Sequence, residues 1–198
     1  MNIQPYITND LKMPEITRPV SEIRTLFQEF GYSHIPIQQE GVFMGSISSN
    51  DVMAFDASEE IERYQYALEG FFVRDNDDWI DVLHSFSKNK SDIMTVLDSQ
   101  NKYLGYLELQ DIMNLFTEAP FLSSPGGILV VEKGYNDYSF SEISQIVESN
   151  GAHLLGAFVS KIEKDMAQIT LKTGSTPFNA ILQAFRRYGY KVVSSHIE

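Results

Sequence analysis

Apolar positions along the chain recur with two periods, and the switches between them predict the elements. Val20, Ile23, Phe27 and Phe30 fall on one helical face, with Pro19 suited to a first turn and Gly31 to a left-handed stop. The stretch SHIPIQQEGVFMGSISSNDVMAF, residues 33–55, then reads as an apolar strand, a turn, a second strand ending in glycine, and a helix opened by Asp51. Trp79, Val82, Leu83 and Phe86 mark a further helix, led by Asp77 and Asp78, whose carboxylates suit the cap and the positive end of the helix dipole. Residues 92–116, DIMTVLDSQNKYLGYLELQDIMNLF, repeat the same order in degenerate form. Gly45 corresponds to Gly105 and Asp51 to Asp111, so each half predicts strand, helix, strand, strand, helix, and an internal repeat governs this part of the fold.

Between the halves, the acidic residues 56–70 read as a helical connector. After them, TEAPFLSSPGG, residues 117–127, breaks all periodicity, predicting a boundary in which Gly126 and Gly127 act as linker. Beyond it the pattern changes. A β-branched run at 128–131 precedes a helix on Phe140, Ile143, Ile146 and Val147, capped by Ser139 or Ser141 and stopped by Gly151. Strands at 154–160 and 166–172, turning near Lys164 and Asp165, lead to a helix with Thr176 as cap, Pro177 at its first position and Phe178, Ile181, Leu182 and Phe185 on its apolar face. A strand at 191–195 closes a βαββαβ order, the ferredoxin-like pattern. The expected fold class is therefore mixed α+β or α/β, with units at 1–60, 61–122 and 123–198.

Composition narrows the chemistry. The 198 residues are 43% hydrophobic and 21% charged, enough to build a core. There is no cysteine, which removes disulfides, thiolate nucleophiles and cysteine-ligated metals. The net charge of −12 lies wholly in residues 1–122, which carry 8 basic and 20 acidic side chains against 7 and 7 in the remainder. Such a surface disfavours nucleic acid and anionic membranes, which need a basic face. No apolar run approaches a membrane span, and the amino-terminal stretch has no basic region followed by an apolar one; a cytoplasmic, unexported protein is expected.

The segments GSISSND, 45–51, and GYLELQD, 105–111, each place a carboxylate where a strand passes into a helix. A helix cap accounts for either acid alone. Taken with HIPI, the turn, and Ser48 and Asp51 three and six residues after glycine, the grammar resembles a CBS domain (cystathionine β-synthase motif), and the two copies over residues 8–122 resemble a CBS pair, or Bateman module, packed about a pseudo-twofold axis. The resemblance implies a non-enzymatic sensor of an adenosine-containing ligand, of the AMP, ADP, ATP or S-adenosylmethionine class. Ser48 and Asp51 would hold the ribose hydroxyls, and Ile16, Thr17 and the backbone of Ile35, Pro36 and Ile37 would line the base. His34, Arg18 and Arg24 are the candidate phosphate partners there, and Arg74, Lys88 and Lys90 those of the second site. That site keeps Asp111 but has Glu108 where a hydroxyl residue is expected and Thr95 opposite Pro36, implying that it is altered or empty. Residues 126–198 resemble an ACT domain, in which Asn136 and Asp137 stand at the turn where such domains hold an amino acid; the arrangement is similar to that of acetoin-utilisation B-type proteins. A homodimer and a regulated protein partner are implied. The alternative is a dimeric structural or protein-interaction module with decayed nucleotide sites.

Enzyme readings find little support. His34, His84, His153 and His196 form no pair at helical ligand spacing, DNDD at 75–78 lacks the glycine and distal glutamate of a calcium loop, and no GxSxG, P-loop or GxGxxG motif occurs. No catalytic residue, metal ligand or obligatory cofactor is expected, and the aromatics lack the basic interleaving of a nucleic-acid platform.

Overall fold

A computed structural model describes residues 3–174 and 178–197. Thr176 and Pro177, expected to start the last helix, lie outside the described residues. The chain forms two compact units, Met1–Leu115 and Phe116–Glu198.

The amino-terminal unit is built twice from one plan. Helix α1 (Val20–Phe30) ends at Gly31 with φ +74°, the left-handed stop, and is followed by the hairpin β1 (His34–Gln39) and β2 (Val42–Ser48) and by α2 (Ser49–Ala54). Glu40 and Gly41 both have positive φ, as a two-residue hairpin turn of right-handed twist demands. The second copy runs through β3 (Val73–Arg74), α3 (Trp79–Asn89), β4 (Ile93–Leu97), β5 (Tyr103–Glu108) and α4 (Leu109–Thr117). Asp78 caps α3, accepting from the Ile80 N–H at 3.0 Å. The parallel pairing of β3 with β4 has its counterpart in the bridge between Glu15 and Gln38 beside β1.

The repeat is interlocked. The strand after Gly45 is bridged by Glu69 from the connector, and that after Gly105 by Thr8 from the amino-terminal segment. This explains the glycines: a Cβ on Gly45 would approach the Glu69 carbonyl oxygen at 3.1 Å, and one on Gly105 would collide with that of Thr8. Helical structure in the connector is confined to a 3-10 stretch, Ile61–Ala67, kinked at Tyr64, so the expected helix over 56–70 shortens because Glu69 is needed as a strand partner. Two cores result. Ile35, Ile37 and Ile47 pack with Ile16, Val20 and Ile23; Met94, Val96 and Leu107 pack with Val82, Phe86 and Ile112. Ile93 and Tyr106 of the second copy enter the first core, which binds the halves together.

In the carboxy-terminal unit, α5 (Pro120–Ser123) precedes β6 (Gly126–Gly134), α6 (Phe140–Ser149), β7 (Leu154–Glu163), β8 (Met166–Gly174), α7 (Phe178–Arg187) and β9 (Lys191–Ile197). The sheet order β7-β8-β6-β9, all antiparallel, is that of a ferredoxin-like fold. Gly126 and Gly127 are not linker but the buried start of β6; Gly127 has no side chain because the Phe178 ring occupies that space. Ser139 caps α6, and Leu129, Val131, Ile169, Leu171, Ile181 and Phe185 form the core.

Candidate functional site

The β2–α2 junction fixes the first candidate pair. Ser48 accepts from the Asp51 backbone N–H at 3.1 Å, and its hydroxyl donates to Asp51 Oδ2 at 2.7 Å. The pair thus satisfies the helix start locally, as a cap does, and holds the carboxylate at the first turn of α2. Strand register sets His34 opposite Ser48 and Ile37 opposite Gly45. Ile16 lies beside the other end of β1, its N–H donating to the Gln38 carbonyl at 2.8 Å and its carbonyl accepting from Glu62 N–H at 2.9 Å. The side chains of Ile16, Ile35 and Ile37 are wholly in the core, and Pro36 is buried, so these positions can offer a ligand backbone groups only; Thr17 is exposed.

The cations divide differently from the sequence expectation. Arg24 donates to the carbonyls of Val52, Met53 and Phe55 and so closes the end of α2, while Arg74 ties the Asp98 carbonyl and Asn101 of the β4–β5 turn. His34 is buried between Ser33, at 2.8 Å from Nδ1, and Glu69, at 3.3 Å from Nε2, with its ring edge-on to Phe71. These three serve the fold. Arg18 pairs with Glu22 on the surface and borders a groove of about 560 Å³ that runs along Lys12, Met13, Glu15 and Gln38 and excludes Ser48 and Asp51.

The second copy departs further. Asp111 keeps its place in the first turn of α4, but Glu108 accepts a hydrogen bond from Tyr32 of the first copy at 2.8 Å. Tyr32 Oη is also 3.1 Å from Tyr106 Oη, and Tyr106 donates to Asp10. Burial, aided by Glu108 and opposed by the Tyr106 hydroxyl, pushes the Tyr32 phenol up to about 12; burial and the contacts with Asp10 and Tyr32 push Tyr106 well above the ordinary tyrosine range, and the Tyr106 hydroxyl holds Asp10 below the usual carboxylate range. Nearby, Ser33 donates to Asp92 at 2.7 Å and accepts from its N–H at 3.0 Å, so residues at equivalent places in the two copies clasp each other. Sequence reading missed Tyr32, Asp10, Ser33, Asp92 and Glu69. The one available signal was the exchange of Ser46 for Tyr106 directly after the repeated glycine.

No family model matches the sequence, and no curated protein matches it. Solved structures do. A CBS domain pair/ACT domain protein from Thermotoga maritima is similar at 20% identity and a TM-score of 0.54, over 60% of this chain and 98% of that one. The CBS domains of a transcriptional regulator from Streptococcus pneumoniae give 16% and 0.51, over 58% and 98%, and CBSX2, solved in complex with AMP, gives 16% and 0.51, over 59% and 96%. The repeated unit has the fold of a CBS domain pair. That fold accounts for the doubled plan. None of the described helices of the CBS pair or of the ferredoxin-like unit is long and apolar enough to cross a membrane.

Proposed function

We propose that the CBS pair is a non-enzymatic regulatory module that takes an adenosine-containing ligand at Ser48 and Asp51 and transmits its occupancy through the arrangement of the two halves, with the ferredoxin-like unit acting as an ACT-like dimerisation or partner domain. The observation that carries this reading is the Ser48–Asp51 pair: a hydroxyl and a carboxylate 2.7 Å apart at a strand-to-helix junction. An ionised carboxylate accepts two hydrogen bonds from a vicinal diol, the chemistry a ribose offers. CBSX2, of the same fold, was solved with AMP, which supports the class of ligand. The acidic surface and the engagement of Arg24, Arg74 and His34 in the fold favour ligands of low negative charge over polyphosphates.

A thermal-shift panel of adenosine, AMP, ADP, ATP and S-adenosylmethionine tests it. A ligand that binds the folded state alone, at 100 times its dissociation constant, adds about 2.7 kcal/mol, a clear rise in midpoint. Flat responses at millimolar ligand leave the second reading, a structural or protein-interaction module with decayed sites. That reading is favoured by one specific observation, the capture of Glu108 by Tyr32.

A further inference from the structure

The two halves are alike in backbone, so the side chains at matching places can be compared directly. Register pairs His34 with Ser48 and Ile93 with Glu108, which makes Tyr32 the counterpart of Ser91 and Ser46 that of Tyr106. The residues matching the two tyrosines are therefore small. Ser91 turns its hydroxyl onto its own strand, donating to the Ile93 carbonyl at 2.5 Å, and Ser46 bridges Glu69 through its backbone. Around Glu108 the same two places carry phenol rings, Tyr32 and Tyr106, packed edge to face at 5.5 Å, with Phe30 stacked on Tyr32 at 5.8 Å.

We infer that the second cleft of the pair is filled by the protein's own Tyr32, Tyr106 and Glu108, so that each chain holds one ligand rather than two, the filled cleft serving as a staple between the halves. The stoichiometry rests on the ligand reading above; the staple does not. The chemistry is that of substitution. Glu108 stands where a ribose-facing group would stand, and its carboxylate already accepts from a hydroxyl, that of Tyr32. Tyr32 in turn meets Tyr106, which is fully buried and donates to Asp10. Two hydroxyl protons serve three oxygen–oxygen contacts, so the contact between Tyr32 and Tyr106, in which either hydroxyl can donate, shares a proton with Glu108 or Asp10. A ribose entering this cleft must break that chain and displace two rings, whereas the matching places of the other copy hold serines, Ser91 and Ser46.

Calorimetry with AMP, ADP, ATP and S-adenosylmethionine in turn reads the stoichiometry. One site per chain is expected, and two sites overturn the inference. The variant Tyr32→Ser with Glu108→Ser, which gives the second cleft the small residues of the first, is expected to raise the number to two; a value that stays at one shows that these side chains are not what closes the cleft. A cycle of Tyr32→Phe and Glu108→Gln, read by thermal unfolding without ligand, tests the staple separately and guards against an opened variant that does not fold. Each single change is expected to lower the midpoint by about 3 °C and the double change by clearly less than the sum; additive shifts overturn the staple. If no ligand in the panel binds, the ligand reading fails and the cycle alone decides.

Discussion

Thr95 shows how a single repeat position carries information. It occupies the place of Pro36 in the other copy, is 1% exposed, and its hydroxyl has no hydrogen-bond partner among the described residues. An unpaired buried hydroxyl costs on the order of 1–3 kcal/mol, and its removal by an isosteric side chain recovers part of that. Thr95→Val is therefore expected to stabilise the protein by about 1 kcal/mol in urea unfolding; a loss of stability would mean that the hydroxyl has a partner. The tyrosines give a second residue-scale expectation. Burial pushes both Tyr32 and Tyr190 up to about 12, from an ordinary value of 10.0. Because the folded-state value is raised, the stability linked to these protons is complete below about pH 10 and is lost as pH climbs towards 12. Tyrosinate absorbance should show the ten tyrosines titrating in at least two classes, with Tyr32→Phe removing one residue from the late class. The Ser48–Asp51 cap was legible from spacing alone, since a cap is a local event. The Tyr32–Glu108 contact was not, because its members lie 76 residues apart and only the interlocking of the halves brings them together.

At the scale of elements, periodicity located the hairpins of both units and their helices except the short α5, and two of the places where it failed share a cause. The connector over 56–70 has helical composition, yet Glu69 is drawn into a bridge with Ser46, a tertiary demand that local propensity does not encode. SPGG reads as a linker by composition, but Gly127 is glycine because Phe178 packs into the space above it. Gly127→Ala is expected to destabilise the ferredoxin-like unit by about 1–3 kcal/mol, through overpacking against that ring. A flexible linker would tolerate the change, so an unaltered midpoint would contradict the strand assignment. In the same unit, the Lys133 ammonium, 2.7 Å from Glu142, holds that carboxyl below its ordinary 4.5. A depressed folded-state value contributes stability above the ordinary one and loses it as pH falls, so Glu142→Gln should flatten the acid limb of the stability profile below about pH 4.5.

For the whole molecule, the separation of charge is the feature that composition and structure read together. The excess of acid belongs to the CBS pair, whose arginines at positions 24 and 74 are engaged with backbone carbonyls, while the ferredoxin-like unit is neutral and free of that self-repulsion. On the proposed reading, the pair takes a ligand recognised through hydroxyls rather than through a dense phosphate chain. The measurement that bears most directly on this account is calorimetric titration of the wild-type chain, Asp51→Ala and Asp111→Ala with the nucleotide that gives the largest thermal shift. The account predicts that Asp51→Ala weakens binding by about 10- to 100-fold, the loss of charge-assisted hydrogen bonds to a diol, and that Asp111→Ala leaves affinity within about twofold, inside the few tenths of a kcal/mol expected of surface substitutions. Equal losses from the two substitutions, or unchanged affinity in Asp51→Ala, would contradict it.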